Sequence, residues 1–281
     1  MTGVYLVTGA DGMLGRELRR AFEGREVRAL GRHELDITDA DAVREAMRGI
    51  GTVVNAAAFT AVDDAEEYED DAYAVNATGA ENLARAAAEV GARFVQVSTD
   101  YVFAGDASSP YAEDAPLAPL GAYGRTKAAG ERLVTAVHPG AHIVRTAWLY
   151  GPGGANFVRT MLRLAGERDT VDVVDDQRGQ PTSAIDLARQ IALLLDRDLP
   201  AGVYHGTNAG EASWFDLARA VFAEAGHDPE RVHPTDSGAF ARPAPRPSYS
   251  VLGHSAWDRA GVPALRPWRE ALHEAMPEFV A

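Results

Sequence analysis

The chain has 281 residues, of which 46% are hydrophobic, 24% charged and 8% aromatic, the composition of an ordinary globular protein and not of a disordered, collagen-like or disulfide-stapled one. Its 27 basic and 41 acidic residues give a formal net charge of −14, which disfavours nucleic-acid binding along a phosphate backbone, since that requires a positive surface. The absence of cysteine excludes disulfides, thiolate nucleophiles and zinc–cysteine sites.

The elements follow in chain order. Residues 4–8 (VYLVT) are a β-branched, apolar run ending in glycine turns, which predicts a first strand. Residues 14–22 have helical spacing, 26–30 are strand-like, 39–47 read as a helix with an acidic first turn, and 52–55 as a third strand. A long alanine-rich helix is predicted over 70–90, closed by Gly91 at the usual place of a C-terminal cap. Residues 93–98 predict a fourth strand, 122–137 a helix ended by Pro139-Gly140, and 142–146 a fifth strand. Short apolar strands alternating with helices are the sequence form of βαβ units. The predicted class is therefore α/β, a doubly wound Rossmann-type parallel sheet with its ligand at the carboxyl ends of the strands.

Beyond about Gly151 the alternation becomes irregular. Helices are predicted over 156–166, 183–195 and 212–225, and strands over 171–174 and 202–206. The run RPAPRP (242–247) reads as an extended loop rather than an SH3 ligand. The expected organisation is a dinucleotide-binding domain over 1–150, to which a segment at about 182–208 returns. The remainder of 151–281 forms a smaller substrate-binding α/β region. No apolar run approaches the roughly 18 residues of a membrane span, and the opening MTGVYLVTGADGMLG does not read as a leader. No membrane or nucleic-acid partner and a cytoplasmic setting are expected.

The first strand runs into Gly9-Ala10-Asp11-Gly12-Met13-Leu14-Gly15, a G-x-x-G-x-x-G. In a dinucleotide loop the first glycine permits the tight turn, the second lets backbone N–H groups approach a pyrophosphate, and the third lets the helix pack on the sheet. The helix N-terminus adds positive potential. The second strand ends in Ala29-Leu30-Gly31-Arg32-His33, without the acid that usually holds an NAD ribose. Arg32 suits a 2′-phosphate, which favours NADPH. A solvated surface arginine is the other reading, and Glu34 or Asp36 keeps NADH use open.

The fourth strand ends in Ser98-Thr99-Asp100-Tyr101, and downstream lies Tyr123-Gly124-Arg125-Thr126-Lys127, a Y-x-x-x-K. Spacing of four puts Tyr123 and Lys127 on one helix face, one turn apart. Reducing a carbonyl with a nicotinamide hydride needs a proton for the new alkoxide. A free tyrosine titrates at about 10, and a neighbouring ammonium brings it down. A hydroxyl at the strand end positions the carbonyl. Thr99, Tyr123 and Lys127 thus divide the work as aligner, acid and tuner. Lys127 is the one lysine beside 26 arginines, in a role that the forked, always-charged arginine fills badly.

On these motifs the chain resembles the extended short-chain dehydrogenase/reductases, and among them the dTDP-4-dehydrorhamnose reductase family. The resemblance runs along nearly the whole chain through GADGMLG, ELDITD (34–39), NAAAFTAVDDAE (55–66), VNATGAENLA (75–84), STDYVFAG (98–105), YGRTKAAGE (123–131), RTAWLYG (145–151), NFVRTMLRLA (156–165) and VVDDQRGQPTSA (173–184). It implies reduction of the 4-keto group of a dTDP-4-keto-6-deoxysugar to dTDP-L-rhamnose with NADPH or NADH. It also implies catalytic roles for Thr99, Tyr123 and Lys127, and cofactor contacts from Asp36 and Ile37 and from Ala56, Ala57 and Ala58. Asp100, Tyr101 and Trp148 fall where the family approaches the sugar, with Trp148 equally readable as core. Asn156, Gln177 and Arg242 are candidates for the nucleotide-sugar end. Asp100-Tyr101 replaces the Asp-Glu pair of related 4,6-dehydratases, which favours a plain ketoreductase.

Some members dimerise through a glutamate-bound Mg²⁺. Glu17 matches one of those glutamates, but Ser183-Ala184-Ile185-Asp186 stands where another is expected, so no metal is predicted and the chain is expected as a monomer or homodimer. The alternatives to this enzyme are a reductase of a different nucleotide-linked 4-ketosugar and an NADP-binding regulatory protein like the methionine adenosyltransferase β-subunit, which resembles the same family.

Overall fold

In the computed structural model, which describes residues 3–280, the first half alternates strand and helix. The order is β1 (Val4–Thr8), α1 (Met13–Ala21), β2 (Val27–Leu30), α2 (Ala40–Ala46), β3 (Ile50–Asn55), α3 (Glu69–Tyr73), α4 (Ala80–Glu89), β4 (Arg93–Thr99), α5 (Ala122–Val137) and β5 (His142–Thr146). The second half continues through β6 (Leu149–Tyr150), α6 (Phe157–Glu167), β7 (Val171–Val174), β8 (Arg178–Gly179), β9 (Thr182–Ser183), α7 (Ala184–Asp196) and β10 (Gly202–His205). It ends with β11 (Asn208–Ala209), β12 (Ala212–Ser213), α8 (Trp214–Glu224), β13 (Val232–Thr235), α9 (Ser255–Arg259), β14 (Leu265–Pro267), α10 (Trp268–Ala275) and α11 (Pro277–Val280).

Six strands make one parallel sheet in the order β10-β5-β4-β3-β1-β2. The chain reverses its direction of travel across the sheet between β1 and β3, which opens a crevice at their carboxyl ends. Both faces are covered, so the strands read as nearly unbroken apolar runs. Leu18, Phe22, Leu187 and Ile191 pack on one face with Val7, Val54 and Val95. Val43, Leu83 and Ala87 pack on the other with Leu6, Val53 and Phe94. Buried polar side chains of three strands satisfy one another: Thr8 Oγ1 donates to Asn55 Oδ1 at 2.6 Å, and Asn55 Nδ2 to Gln96 Oε1 at 2.8 Å.

The helix predicted over 70–90 is interrupted. Between α3 and α4 the chain makes a π turn at Ala74–Gly79. Asn76 is buried in this turn, where it bonds both N and O of Phe59 and the Thr126 hydroxyl. Those tertiary bonds widen the helix locally, at a place where alanine propensity alone predicts regular winding. Gly91 ends the segment with φ +68°.

In the second half, β10 lies parallel to β5 and α7 packs on α1. A separate core gathers Tyr150, Val158, Met161, Leu217, Val221, Phe222 and Leu272. The helix predicted from 212 begins at Trp214, because Ser213 and Asp216 form a reciprocal capping box. Glu17 is buried and pairs with Arg20 at 3.3 Å, while Arg20 also holds Glu278 at 2.9 Å. Among the described residues no helix is long and apolar enough to cross a membrane.

Candidate active site

The β1–α1 turn depends on glycine. Gly9 has φ +66°, and a Cβ there would lie 2.6 Å from the Ala57 nitrogen and 2.7 Å from the Ala56 carbonyl carbon. A Cβ on Gly15 would overlap the Gly9 carbonyl oxygen. The turn therefore lies directly against the end of β3. α1 has Gly12 as its N-cap, with no side chain capping its first N–H groups and no acid in its first turn, so unspent donors and the positive helix end face the crevice. That is the arrangement a pyrophosphate fits. At the far end of the crevice, Asp36 accepts from the Thr38 hydroxyl at 2.7 Å and the Thr38 N–H at 2.9 Å. These bonds hold its carboxyl below the usual range. Arg32 is exposed beside it.

The crevice widens into a cleft of about 1080 Å³. Every residue singled out for cofactor contact lines it: Gly9, Asp11, Gly12, Met13, Leu14, Gly15, Arg32, Asp36, Ile37, Ala56, Ala57, Ala58, Tyr123 and Lys127. Thr99, Asp100, Tyr101 and Trp148 line it as well.

At its floor the end of β4 meets α5. Lys127 is 4% exposed and its Nζ donates to the Val97 carbonyl at 2.8 Å. Burial pulls this ammonium down to about 8, with Glu131 opposing. The Tyr123 phenol is pushed up to about 12 by burial, against the Thr99 hydroxyl beside it and with the Asp100 carboxylate adding to the rise. Burial is the largest influence on the phenol here, and the Lys127 ammonium is bonded to the strand carbonyl. The phenol so placed carries its proton throughout the neutral range. Asp100 accepts from Thr99 Oγ1 at 3.0 Å through Oδ1, and its buried Oδ2 has no partner among the described residues. Burial pushes this carboxyl up to about 6, with the Thr99 hydroxyl opposing. Tyr101 meets Tyr123 edge-on at 5.5 Å.

The opposite wall is Trp148. Its backbone is left-handed, φ +45°, a strained conformation for a bulky residue. Trp214 stacks flat on its ring at 3.6 Å between centroids. On β8, Gly179 admits the indole, because a Cβ there would come within 2.5 Å of Trp148 Cε2. Trp214 Nε1 in turn donates to Gln177 Oε1 at 3.2 Å, and Gln177 Nε2 donates to Ser237 Oγ at 2.7 Å.

Three of the sequence candidates do not line the cleft. Asn156 caps α6: its Oδ1 accepts from the Arg159 N–H at 3.0 Å and its Nδ2 donates to the Gly151 carbonyl at 2.9 Å. Gln177 stands behind Trp214. Arg242 is exposed, 3.9 Å from Asp63. Conversely, Trp214, Gly179 and the Thr146 hydroxyl, which has no hydrogen-bond partner among the described residues, belong to the cleft or its backing, and spacing did not reveal them. Gly179 and Thr146 lie within quoted motifs, but nothing local tells which tryptophan a glycine faces.

A family model described as RmlD substrate binding domain matches residues 3–281. The chain belongs to that family. It is 54% identical over 282 residues to dTDP-4-dehydrorhamnose reductase of Streptomyces griseus, covering 97% of this chain and 93% of that protein. It is 51% identical to a dTDP-4-keto-6-deoxy-D-glucose reductase of Streptomyces niveus, covering 99% and 98%. The RmlD fold extends to the crystal structure of dTDP-4-dehydrorhamnose reductase from Bacillus anthracis in complex with NADP, at TM-score 0.95 and 39% identity, covering 99% of this chain and 100% of that one.

Proposed function

We propose that this RmlD-family chain is an NAD(P)H-dependent oxidoreductase that reduces the 4-keto group of a dTDP-4-keto-6-deoxysugar, taking dTDP-4-dehydrorhamnose to dTDP-L-rhamnose. The observation that carries the reading is the convergence of Thr99, Tyr123 and Lys127 on the floor of a cleft whose other end is an uncapped, glycine-turned helix N-terminus. When bound, a reduced nicotinamide supplies the hydride for C4.

The chain's own groups do the rest. The first N–H groups of α1 and the glycine loop hold the pyrophosphate. Thr99 orients the carbonyl by donating to its oxygen. Tyr123 gives its proton to the alkoxide, which is a stronger base than a phenolate, so even a phenol pushed up by burial is acid enough. The Lys127 ammonium stabilises the phenolate left behind. Asp100 and Tyr101 bound the sugar, and Trp148 closes its apolar side. We assign the preference to NADPH, on Arg32, with NADH accepted. Residues 1–150 together with about 182–208 form the cofactor domain, which the pairing of β10 with β5 supports, and the rest of 151–281 forms the nucleotide-sugar domain. The reaction is placed in the cytoplasm.

A second reading, reduction of the same class of 4-ketosugar with another C4 outcome, is favoured by the likeness to the Streptomyces niveus protein. The test is loss of reduced-nicotinamide absorbance with dTDP-4-dehydrorhamnose, the product's C4 configuration being read by NMR. Rapid oxidation with dTDP-L-rhamnose as product is expected. Tight NADP binding without turnover of any dTDP-4-ketosugar would instead mark a binding subunit.

A further inference from the structure

Behind the catalytic pair lies a buried ionic chain with no place in the steps above. Glu131 stands one turn beyond Lys127 on α5 and is 5% exposed. Its carboxylate accepts from Ser98 Oγ at 2.5 Å and, two-pronged, from Arg145 Nε at 2.9 Å and Nη2 at 2.8 Å. Arg145 on β5 is equally buried. Its Nη1 donates to the Glu113 carbonyl at 3.0 Å, and its guanidinium lies 4.9 Å from the Phe103 ring centre. A forked guanidinium plus a hydroxyl locks a carboxylate in one orientation.

A buried ammonium tends to shed its proton unless a counter-charge stands near. The only hydrogen-bond acceptor of Lys127 among the described residues is the neutral Val97 carbonyl. The charged and titratable groups around it are few. Tyr123 and Glu131 lie on its own helix. Asp100 stands at the end of β4, and Arg145 reaches in from β5. Behind Arg145 lie His205 of β10, which burial and the Arg145 charge hold neutral, and Glu113, which is occupied by the Ser255 hydroxyl and the Ala256 N–H. Of these, Glu131 is the carboxylate held at the same point of β4 as the ammonium: it bonds Ser98, the neighbour of the Val97 that Lys127 bonds, from one turn along the same helix.

We infer that Glu131 is a positioning residue of the reductase: fixed by Arg145 and Ser98, its carboxylate is the counter-charge that keeps Lys127 an ammonium in a site too dry to keep one alone. Its effect on turnover rests on the reductase reading above; its effect on the lysine does not.

Lys127 is the only lysine in the chain, so protein labelled with ¹³C at lysine Cε shows this one side chain, and its titration is read without substrate. In Glu131→Gln the midpoint moves to lower pH by on the order of one pH unit, and the alkaline limb of NADPH-dependent reduction moves with it. Glu131→Asp restores most of both. In a Lys127→Met background, Glu131→Gln causes no further loss of turnover. An unchanged lysine midpoint, or a full additional loss in that background, overturns the inference. If Glu131→Gln fails to fold, Glu131→Gln combined with Arg145→Gln removes the buried pair together; Lys127 still loses its counter-charge, and its midpoint is expected to move to lower pH by less than in the single variant, because the Arg145 charge goes too. A parent protein with the lysine titration but no turnover would count against the reductase reading alone.

Discussion

On the side proposed for the cofactor, the cleft wall is backbone: the Gly9–Gly15 turn and the Ala56–Ala58 segment, both within a few residues of a strand end. On the side proposed for the sugar it is side chains brought from far apart, with Trp148 after β5 held between Gly179 on β8 and Trp214 at the start of α8. A backbone wall recognises what all dinucleotides share. A wall of side chains from separate segments can be changed one residue at a time without disturbing the sheet. On the proposed function, the chemistry sits where the two meet, at Thr99, Tyr123 and Lys127.

If that division holds, the largest loss comes at the junction. Tyr123→Phe is expected to lower kcat by roughly two orders of magnitude or more and to leave the Kd for NADPH, measured by fluorescence titration, nearly unchanged. Turnover at the parent's rate would remove Tyr123 as the acid.

Asp100 separates the two sides by pH. It titrates at about 6 in the folded protein against 3.8 ordinarily, so between those values the folded state holds a proton that the unfolded chain has released. This contribution to stability is complete below about pH 4 and is lost as pH rises through 6. Asp100→Asn escapes that loss and should gain up to about 3 kcal/mol over the parent above pH 6, seen as a higher Tm there and a vanishing difference near pH 4. A Tm difference that does not vary with pH would contradict the burial argument.

The same contrast governs what could be read in advance. The glycine turn, the strand-end threonine and the Y-x-x-x-K pair are local patterns whose geometry follows from helix and strand periods, and all of them line the cleft. The π turn at Ala74–Gly79 could not be read, because Asn76 is drawn into it by Phe59 and Thr126, a contact across the fold. Asn156 and Gln177 sit in stretches shared with the family, yet one caps a helix and the other supports Trp214. Motif membership marks a residue as part of the machinery without saying which way its side chain turns. The Trp148–Trp214 stack depends on where β8 and α8 meet, which no local spacing encodes.

On the sugar side alone, Gly179→Ala places a methyl group within 2.5 Å of the Trp148 indole and must shift that ring. The KM for the nucleotide sugar is expected to rise roughly tenfold, equivalent to about 1.4 kcal/mol, with NADPH affinity unchanged. A matching loss of NADPH affinity would show that the two walls are not independent.

The smallest effect is expected where the cofactor wall does use a side chain. Arg32 is exposed at the end of β2, next to a carboxyl-rich neighbourhood of Asp11, Glu34 and Asp36. A 2′-phosphate brought there meets like charges, and only a guanidinium at that point offsets them. A 2′-hydroxyl has no such need, since a neighbouring carboxylate can accept from it directly. Because the site is open to solvent, the contact is worth only about 1 kcal/mol. Arg32→Ala should therefore raise the KM for NADPH about fivefold and change that for NADH by less than half as much, measured side by side with one sugar. Equal changes for both cofactors would mean that the arginine reads only the pyrophosphate or the bulk potential, and that the preference lies in the backbone wall after all.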